Sequence, residues 1–349
     1  QSHAAFLAVL PGGDLACAWF GGTMEGRGDI SIWMSRLAPG DSVWSAPQRL
    51  SDAQDRSEQN PVLFVAPDGV VWLFHTSQPG GRQDECEIMA RQSRDGGASF
   101  GPARRLGGFT GVFVRQPVQT TGTGRWLLPC FRCVAARGTR WTGGLDTAVA
   151  LYSEDGGATW AAREVPDSLG AVHMNPIPAK DGIAPAFYRD RFSGHVKRSL
   201  SRDGGETWSA PQATELPNNN SSIQAIRLAD GRVAVVLNPV NAEMSDQRRG
   251  SLYDEIEEDA VAGTGGAIWG VPRAPMALAL SRDNGARFDE IHVLDSGSGA
   301  CLSNNSEDGK NKELSYPSIL QDPSGDLHIA YTYHRRAIKY LRLRLTSVA

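Results

Sequence analysis

Short stretches in which apolar and polar residues alternate recur along the whole chain, and turn residues follow each of them closely. The stretches that fit β-strands best are 15–20, 70–75, 126–129, 147–152, 232–238, 276–280, 327–333 and 338–343. Strands of this length, separated by turns rich in Gly and Asp, predict an all-β protein. No long amphipathic helix is evident, and no apolar run is long enough to span a bilayer.

One turn pattern, Ser-x-Asp-x-Gly-x-x-aromatic, occurs four times, always after such a stretch. The copies occupy 93–100, 153–160, 201–208 and 281–288, and a degenerate fifth copy fits at 35–44. The Asp carboxylate of such a turn can accept hydrogen bonds from backbone N–H groups, the Gly supplies a positive φ, and the aromatic ring can pack between neighbouring sheets. A repeat of roughly 50 to 60 residues predicts one four-stranded propeller blade per copy, so the chain holds about six blades.

The repeated turn resembles the Asp-box, or BNR repeat, of the sialidase superfamily of β-propellers, and the resemblance covers essentially the whole chain. It implies an all-β fold with six blades. We expect one propeller domain over 1–349, with a long loop insertion around 240–272, where the spacing between repeats is widest and acidic and Gly-rich stretches interrupt the strand pattern. We also expect an N-terminal strand near 6–10 to pair with C-terminal strands near 331–343, because such closure protects sheet edges.

Composition and charge narrow the classes of partner. The chain has 39 Gly and 9 Trp, which suits an all-β domain with many turns, and its net charge is −4. The chain has no basic cluster longer than a pair such as Arg335-Arg336, so nucleic acids and anionic membranes are not expected partners. The sequence specifies neither oligomeric state nor compartment. Residues 1–6 lead into a strand without a signal peptide, which fits a cytoplasmic protein or a secreted or periplasmic one with a processed start.

The five cysteines include one Cys-x-x-Cys motif, formed by Cys130 and Cys133. A zinc site of this type requires a second pair, which the chain lacks. Two positions three residues apart on a strand also point to opposite faces. We therefore expect buried free thiols here, and no metal ion or other cofactor.

The resemblance implies a catalytic tyrosine on the inner strand of the last blade, and Tyr316 takes that position. A phenol is a poor nucleophile unless a neighbouring base removes its proton, which a Glu does in sialidases. Near the place of that Glu this chain has His173 and Asn175, of which only the histidine can act as a base. Glu313, which lies close to Tyr316 in sequence, is a second candidate for the base.

The resemblance also implies a general acid on the loop that follows the inner strand of the first blade. Asp29 and Glu25 are the candidates in this chain. Either carboxyl would need a raised pKa, achieved by partial burial against Trp19 or Phe20. The alternative for Asp29 is that it caps a turn beside Gly28.

Three arginines clamp the substrate carboxylate in sialidases, and Arg189 and Arg273 resemble two of them. A planar guanidinium group suits bidentate binding of a carboxylate. The Arg-Ile-Pro motif that carries the first sialidase arginine is missing, since 2–5 reads Ser-His-Ala-Ala. Further polar side chains that could bind sugar hydroxyl groups recur about once per blade: Arg115, Gln116, Asn60, Asn175 and Asn220. The ring of Trp19 could stack on a sugar. Loop capping by the amides and core packing of the tryptophan are the alternatives.

These candidates support three hypotheses about function. The first is a glycoside hydrolase that acts on a terminal acidic or deoxy sugar of a glycan. The second is a polysaccharide lyase, in which Tyr316 or His173 abstracts the proton α to a uronate carboxylate that Arg189 and Arg273 neutralise. The third is a glycan-binding propeller without catalysis, because the acidic partner of the tyrosine is absent. An unsaturated uronide product indicates a lyase, a simple reducing sugar a hydrolase, and binding without turnover a lectin.

Overall fold

The computed structural model describes residues 1–249, 266–302 and 311–345 of the chain. In these residues the strands form six antiparallel sheets, each built from strands that follow one another in sequence. This is the six-bladed propeller that the repeats predict. Each stretch predicted from alternation overlaps a strand of the structure, so the prediction of fold class is confirmed.

The first sheet contains β1 (Ser2–Val9), β2 (Leu15–Gly21), β3 (Ser31–Leu37) and β4 (Gln48–Arg49). The second contains β5 (Arg56–Val65), β6 (Val71–Pro79), β7 (Glu87–Ser93) and β8 (Arg104–Thr110). The third contains β9 (Val112–Val114), β10 (Gln119–Thr120), β11 (Trp126–Arg132), β12 (Thr147–Ser153) and β13 (Ala161–Glu164). The fourth contains β14 (Ala171–Pro176), β15 (Ala184–Asp190), β16 (His195–Ser201) and β17 (Gln212–Pro217). The fifth contains β18 (Gln224–Arg227), β19 (Val233–Leu237), β20 (Met276–Ser281) and β21 (Glu290–Asp295). The sixth contains β22 (Leu314–Gln321), β23 (Asp326–Tyr333) and β24 (Ala337–Arg344), and two 3-10 turns occur at Gln83–Glu85 and Ala242–Met244.

Each of the four repeated turns connects the last two strands of a four-stranded path, and its hydrogen bonds show why the motif recurs. In the copy at 153–160, the Ser153 hydroxyl donates to the Asp155 carboxylate (2.8 Å). The backbone N–H groups of Gly157 and Thr159 donate to Ser153 and Asp155 respectively (2.8 Å each). The Ser and Asp side chains therefore accept hydrogen bonds from backbone N–H groups of their own turn, as the sequence pattern predicts.

The glycine and the aromatic residue of the motif serve the packing between sheets. Gly157 has a φ of +85°, and a Cβ at this position would lie 2.8 Å from the Trp126 ring. The Trp160 ring packs against Phe74 of the second sheet and Trp126 of the third. The turn thus anchors its own blade to the preceding one.

The closure of the propeller differs from the expectation. Strand β1 pairs with β2 as the innermost strand of the first sheet, and β23 and β24 pair with each other in the sixth. The predicted pairing of the N-terminal strand with the C-terminal strands is therefore wrong, because β1 uses its ladder hydrogen bonds within its own blade. Individual bonds join the first and sixth sheets instead, from the Ser2 N–H to the Arg335 carbonyl (2.8 Å) and from the Leu7 N–H to the Ser318 hydroxyl (2.9 Å).

The innermost strands carry an unusual backbone feature near the propeller axis. Five non-glycine residues in or just before these strands have φ values between +51° and +61°, namely Ala4, Asn60, His173, Asn220 and Tyr316. In four of the five sheets concerned, the register of the innermost strand pair shifts at this point. A bulge of this kind re-aims a side chain, and backbone strain of this type clusters at functional sites.

The antiparallel order places two kinds of connection at opposite ends of each sheet. The turns from the first to the second strand and from the third to the fourth lie at one end, with the Asp-boxes, and the connections from the second to the third strand lie at the other. Glu25, Arg191, Arg273 and Arg335 all lie in connections of the second kind. They therefore share one face of the propeller, opposite the Asp-boxes.

The structure describes the predicted insertion around 240–272 only in part. Its acidic stretch at 253–259 lies outside the described residues, and a single 3-10 turn forms at Ala242–Met244. The insertion and the single domain that contains it stay predictions. Cys130 and Cys133 are buried free thiols, as expected. In the described ranges, no helix has the length and apolar character needed to cross a membrane.

Candidate functional site

Tyr316 lies at the centre of the candidate site. It is 7% exposed, and its hydroxyl oxygen accepts a 2.6 Å hydrogen bond from Nη1 of Arg189. The guanidinium carbons of Arg115, Arg189 and Arg273 lie 5.4, 5.7 and 5.8 Å from the centre of the Tyr316 ring. The fold therefore brings Tyr316 together with both arginines that the sequence assigns to a substrate carboxylate.

Arg189, near the end of β15, is held in a fixed orientation. Its Nε donates to Asn220 Oδ1 (2.7 Å), and Asn220 Nδ2 donates in turn to the Ile268 carbonyl (2.9 Å). Burial lowers the pKa of Arg189 to about 9. Its buried Nη2 has no hydrogen-bond partner among the described residues. A buried guanidinium group with an unused donor is a binding point for an anion.

Arg115 binds the backbone of the site. Its Nη2 donates to the carbonyl groups of Ala5 (3.0 Å), Tyr316 (3.1 Å) and Pro317 (3.0 Å), and its Nε donates to Ser222 (3.3 Å). Burial lowers the pKa of Arg115 to about 10. Arg115 therefore ties innermost segments of different sheets together and stabilises the backbone of Tyr316 in its positive-φ conformation.

A chain of buried ion pairs includes the predicted base Glu313. This carboxylate accepts hydrogen bonds from Arg273 Nη1 (2.7 Å) and Arg335 Nε (3.0 Å), and Arg335 Nη1 donates to Glu25 (2.6 Å). Burial alone would raise the pKa of Glu313, but the guanidinium groups of Arg335 and Arg273 hold it well below its usual value. Glu313 thus stays ionised and is committed to two arginines. Within the described ranges, it forms no hydrogen bond with the Tyr316 hydroxyl.

Arg335 was missed as a site residue, because in the sequence it stands out only as part of a basic pair in a turn. The structure buries it to 1% exposure. Although burial disfavours its charge, Glu313 and Glu25 raise the pKa of Arg335 well above the usual value. A second arginine therefore contacts the Glu313 carboxylate, which also binds Arg273. Its position in the second-to-third-strand turn of the last blade is the signal that could have identified it.

Two buried histidines flank the Tyr316 ring. The ring centres of His3 and His173 lie 4.3 and 5.7 Å from the centre of Tyr316. Burial lowers the pKa of both well below the usual value, and nearby arginines add to the effect, Arg335 for His3 and Arg189 for His173. Both rings are therefore neutral. His3 Nε2 and His173 Nδ1 are buried without a partner in the described part of the chain, and His3 was not predicted as a site residue.

The two predicted acids have different surroundings. Asp29 is exposed, and its carboxylate accepts hydrogen bonds from the N–H and the hydroxyl of Thr23 (2.8 Å each), which is the turn-capping alternative. Glu25 is 9% exposed and pairs with Arg335. Trp19 packs in the apolar cluster between the first and sixth sheets, which is the core-packing alternative. Glu25 is thus the carboxyl that the structure connects to the site.

The predicted amides mainly link different blades. Gln116 Nε2 donates to the Ile223 carbonyl (2.6 Å), and Asn175 Oδ1 accepts from the Ala225 N–H (2.6 Å). The Gln116 bond matches the loop-capping alternative, whereas Asn175 joins β14 to β18. Asn60 has a buried Oδ1 that finds no partner within the described ranges.

A second buried ion pair lies next to this cluster and was not predicted. Asp146 accepts hydrogen bonds from Arg191 Nε (2.9 Å) and from Trp141 Nε1 (2.8 Å). The guanidinium carbon of Arg191 lies 5.3 Å from the centre of the Trp269 ring. The guanidinium carbon of Arg189 lies 5.8 Å from the same ring centre. These side chains come from separate strand connections, so the sequence gives no sign that they meet.

Comparisons with known sequences identify the repeat family. The family model described as BNR repeat-like domain matches residues 13–329. Comparison with curated proteins gives no match.

Solved structures of sialidases superpose on almost the whole chain. The Hadza microbial sialidase Hz136 aligns with 100% of this chain and 66% of its own, with a TM-score of 0.72 and 15% identity. An intramolecular trans-sialidase from Ruminococcus gnavus aligns with 99% of this chain and 94% of its own (TM-score 0.68, 13% identity). A protein of unknown function from Dyadobacter fermentans covers 95% of this chain and 91% of its own (TM-score 0.68, 16% identity). At these identities the similarity establishes the fold, and this chain spans just under two thirds of the Hadza sialidase.

Proposed function

This chain belongs to the family of BNR repeat-like domains and has a sialidase-like fold, and on that premise we propose that it is a glycoside hydrolase that removes a terminal acidic or deoxy sugar from a glycan. The observation that carries the proposal is the 2.6 Å hydrogen bond from Arg189 to the Tyr316 hydroxyl, inside a cluster of buried arginines. A phenol in this setting suits a nucleophile for an anionic substrate.

The charges of the cluster favour an acidic sugar. The described contacts around Tyr316 involve more buried cations than carboxylates: Arg115, Arg189, Arg273 and Arg335 against Glu25 and Glu313. Buried charges without a partner are costly, so an anionic ligand stabilises the cluster. Arg189 has an unused Nη2, and Arg273 is 8% exposed. We assign these two guanidinium groups to the substrate carboxylate.

In the proposed reaction Tyr316 attacks the anomeric carbon. Arg189 donates to the phenol oxygen, so it stabilises the negative charge that develops there as the proton leaves. We assign that proton to His173, because its Nδ1 is unused and Glu313 is committed to its arginines. A substrate carboxylate that neutralises Arg189 and Arg273 removes part of the charge that lowers the pKa of His173. Catalytic hydrogen bonds often tighten only when substrate binds, which is consistent with the present separation of His173 from Tyr316.

Cleavage of the glycosidic bond also needs a proton for the leaving oxygen. We assign this proton to Glu25, because Asp29 is exposed and bound within its own turn. Glu25 must first release Arg335, and a substrate carboxylate that competes for Arg335 promotes this release. Water then attacks the anomeric carbon and the bond to Tyr316 breaks; Glu25 takes up the proton of the water, and His173 returns its proton to the departing phenolate.

Hydrolysis of aryl glycosides tests the proposed function. A suitable panel contains the 4-methylumbelliferyl glycosides of N-acetylneuraminic acid, glucuronic acid, rhamnose and galactose. We expect fluorescence from an acidic or deoxy glycoside and none from the galactoside. Equal release from the galactoside, or no release from any acidic or deoxy glycoside, would overturn the proposal.

One observation favours a lyase as the second candidate. In the described part of the chain, the Tyr316 hydroxyl is bonded to Arg189 and not to any carboxylate, and the neutral His173 lies next to it. β-Elimination needs a base for the proton α to a uronate carboxylate and cations that neutralise that carboxylate. The base takes the C5 proton, the bond from C4 to the leaving oxygen breaks, a C4–C5 double bond forms, and the leaving oxygen takes up a proton. Hydrolysis adds one water per bond broken and elimination adds none, so product masses and ultraviolet absorbance separate the two.

A further inference from the structure

The wall of the site formed by 133–146 and 266–272 ends in an aromatic ring to which the proposed chemistry gives no role. Trp141 is half-buried, and its Nε1 donates to the buried Asp146 (2.8 Å). The Arg191 guanidinium carbon lies 5.4 Å from the ring centre. Asp146 and Arg191 are themselves paired (2.8 Å). The indole is therefore held in one orientation while part of its surface stays accessible.

A series of side-chain contacts leads outward from the reacting hydroxyl to this ring. Arg189 contacts Tyr316, and its guanidinium carbon lies 5.8 Å from the centre of the Trp269 ring. The centre of Trp269 lies 6.0 Å from that of Trp141. Trp269 is 5% exposed, whereas Trp141 is half-buried. Trp141 thus occupies the outer part of the wall whose inner part borders the reaction centre.

The two connections that form the wall are packed directly against each other. Gly143 has a φ of +80°, and a Cβ there would lie 3.1 Å from the Ala267 side chain and 3.2 Å from the Trp269 ring. The Ala267 N–H also donates to the Thr142 carbonyl (3.3 Å). A glycine at this position permits the close approach that places Trp141 beside Trp269.

We propose that Trp141 is the binding surface for the second sugar ring of the substrate, the ring that departs as the leaving group. This inference rests on the proposed function. A pre-oriented indole offers a large apolar face at low cost in conformational entropy, which suits the C–H face of a pyranose. The substrate class is accordingly an oligosaccharide or polysaccharide with an acidic end, in preference to an acidic sugar linked to a small alcohol.

Kinetics on a matched pair of substrates test this subsite. Methyl α-N-acetylneuraminide and 3′-sialyllactose share the terminal sugar and differ in the presence of a second ring, and methyl β-glucuronide with a hyaluronan tetrasaccharide forms the equivalent uronate pair. Trp141→Ala should raise KM for the oligosaccharide about three- to tenfold and leave KM for the methyl glycoside within about twofold. Trp141→Phe should recover most of the loss. Trp44→Ala is the control, because Trp44 is half-buried on the Asp-box face against Tyr340.

A binding measurement separates the subsite from effects on folding or chemistry. Calorimetry in the Tyr316→Phe background, with and without Trp141→Ala, should show the same selective loss of affinity for the oligosaccharide. Equal losses for both ligands would overturn the subsite while leaving the proposed hydrolase intact. If the unaltered protein turns over neither substrate of either pair, the subsite proposal fails, and the rhamnoside of the aryl glycoside panel then decides separately whether the proposed function stands.

Discussion

Arg189 donates a 2.6 Å hydrogen bond to the hydroxyl oxygen of Tyr316, which lies 127 positions away in the chain. The bond joins the fourth and sixth sheets, and Asn220, which precedes the fifth sheet, holds the same guanidinium group (2.7 Å). Three blades therefore converge on one phenol. Such a convergence suits charge stabilisation by groups that are already oriented before substrate binds.

Arg189→Lys tests this convergence, because it keeps the charge and removes the planar fork. A lysine ammonium cannot hold Asn220 and Tyr316 in the geometry that the guanidinium provides. We expect kcat/KM on the acidic substrate to fall about 10²- to 10³-fold, with a circular dichroism spectrum like that of the unaltered protein. Arg94→Lys, on the exposed part of an Asp-box at the opposite face, should keep full activity. Unchanged kinetics in Arg189→Lys would contradict the assignment.

Glu313→Gln tests the chain of ion pairs. The variant leaves Arg273 and Arg335 buried beside a neutral amide, which should lower the free energy of unfolding by about 3–5 kcal/mol. Because the pKa of Glu313 is lower in the folded than in the unfolded state, its stabilisation is complete above the usual value of 4.5 and is lost as the pH falls below it. Urea denaturation should therefore show a flatter pH dependence below 4.5 in the variant. An equally steep dependence would count against the ion-pair account.

Three of the buried histidines predict a second range of pH-dependent stability. Burial lowers the pKa of His3, His75 and His173. Below about pH 6.5 the unfolded chain therefore binds more protons than the folded one, so stability is complete above that pH and decreases as the pH falls. His75→Gln removes one of these rings in the second sheet. Its free energy of unfolding should change less between about pH 7.5 and about pH 5.5 than that of the unaltered protein; parallel curves would show that His75 does not contribute.

Glu25→Gln and Asp29→Asn separate the two candidate acids. Asp29→Asn should leave kcat/KM within about threefold, because Asp29 is exposed and bonded to Thr23. Glu25→Gln should reduce kcat on a methyl glycoside about 10²- to 10⁴-fold, and less on a methylumbelliferyl glycoside, whose leaving group needs little protonation. The opposite ranking would transfer the acid role to Asp29.

The fold could be predicted because its strongest signals are local. Asp155 and Gly157 act within their own turn, so the sequence displays their role directly. The closure could not be predicted in the same way. The apolar alternation of β1 fits pairing with β2 and pairing with a C-terminal strand equally well, and only the assembled ring decides between them.

The candidate site could be predicted only in part. Tyr316 and Arg189 occupy positions that a family resemblance supplies. His3 and Arg335 were missed because their burial depends on contacts between the two ends of the chain. In the sequence alone, an arginine in a turn is interpreted as a solvent-exposed charge. The positive φ of Tyr316 is likewise invisible to strand alternation, which places successive side chains on opposite faces.

The kinetics of Tyr316→Phe test the central claim most directly, because the change removes one hydroxyl and leaves the ring between His3 and His173. The measurement is kcat on the acidic glycoside that the unaltered protein cleaves, with urea denaturation to verify the fold. The account predicts a loss of at least about 10³-fold in kcat in a folded protein, with a decrease in the free energy of unfolding of no more than about 1–3 kcal/mol because Arg189 Nη1 loses its acceptor. Near-normal kcat in Tyr316→Phe would contradict the account and leave His173 as the base of a lyase.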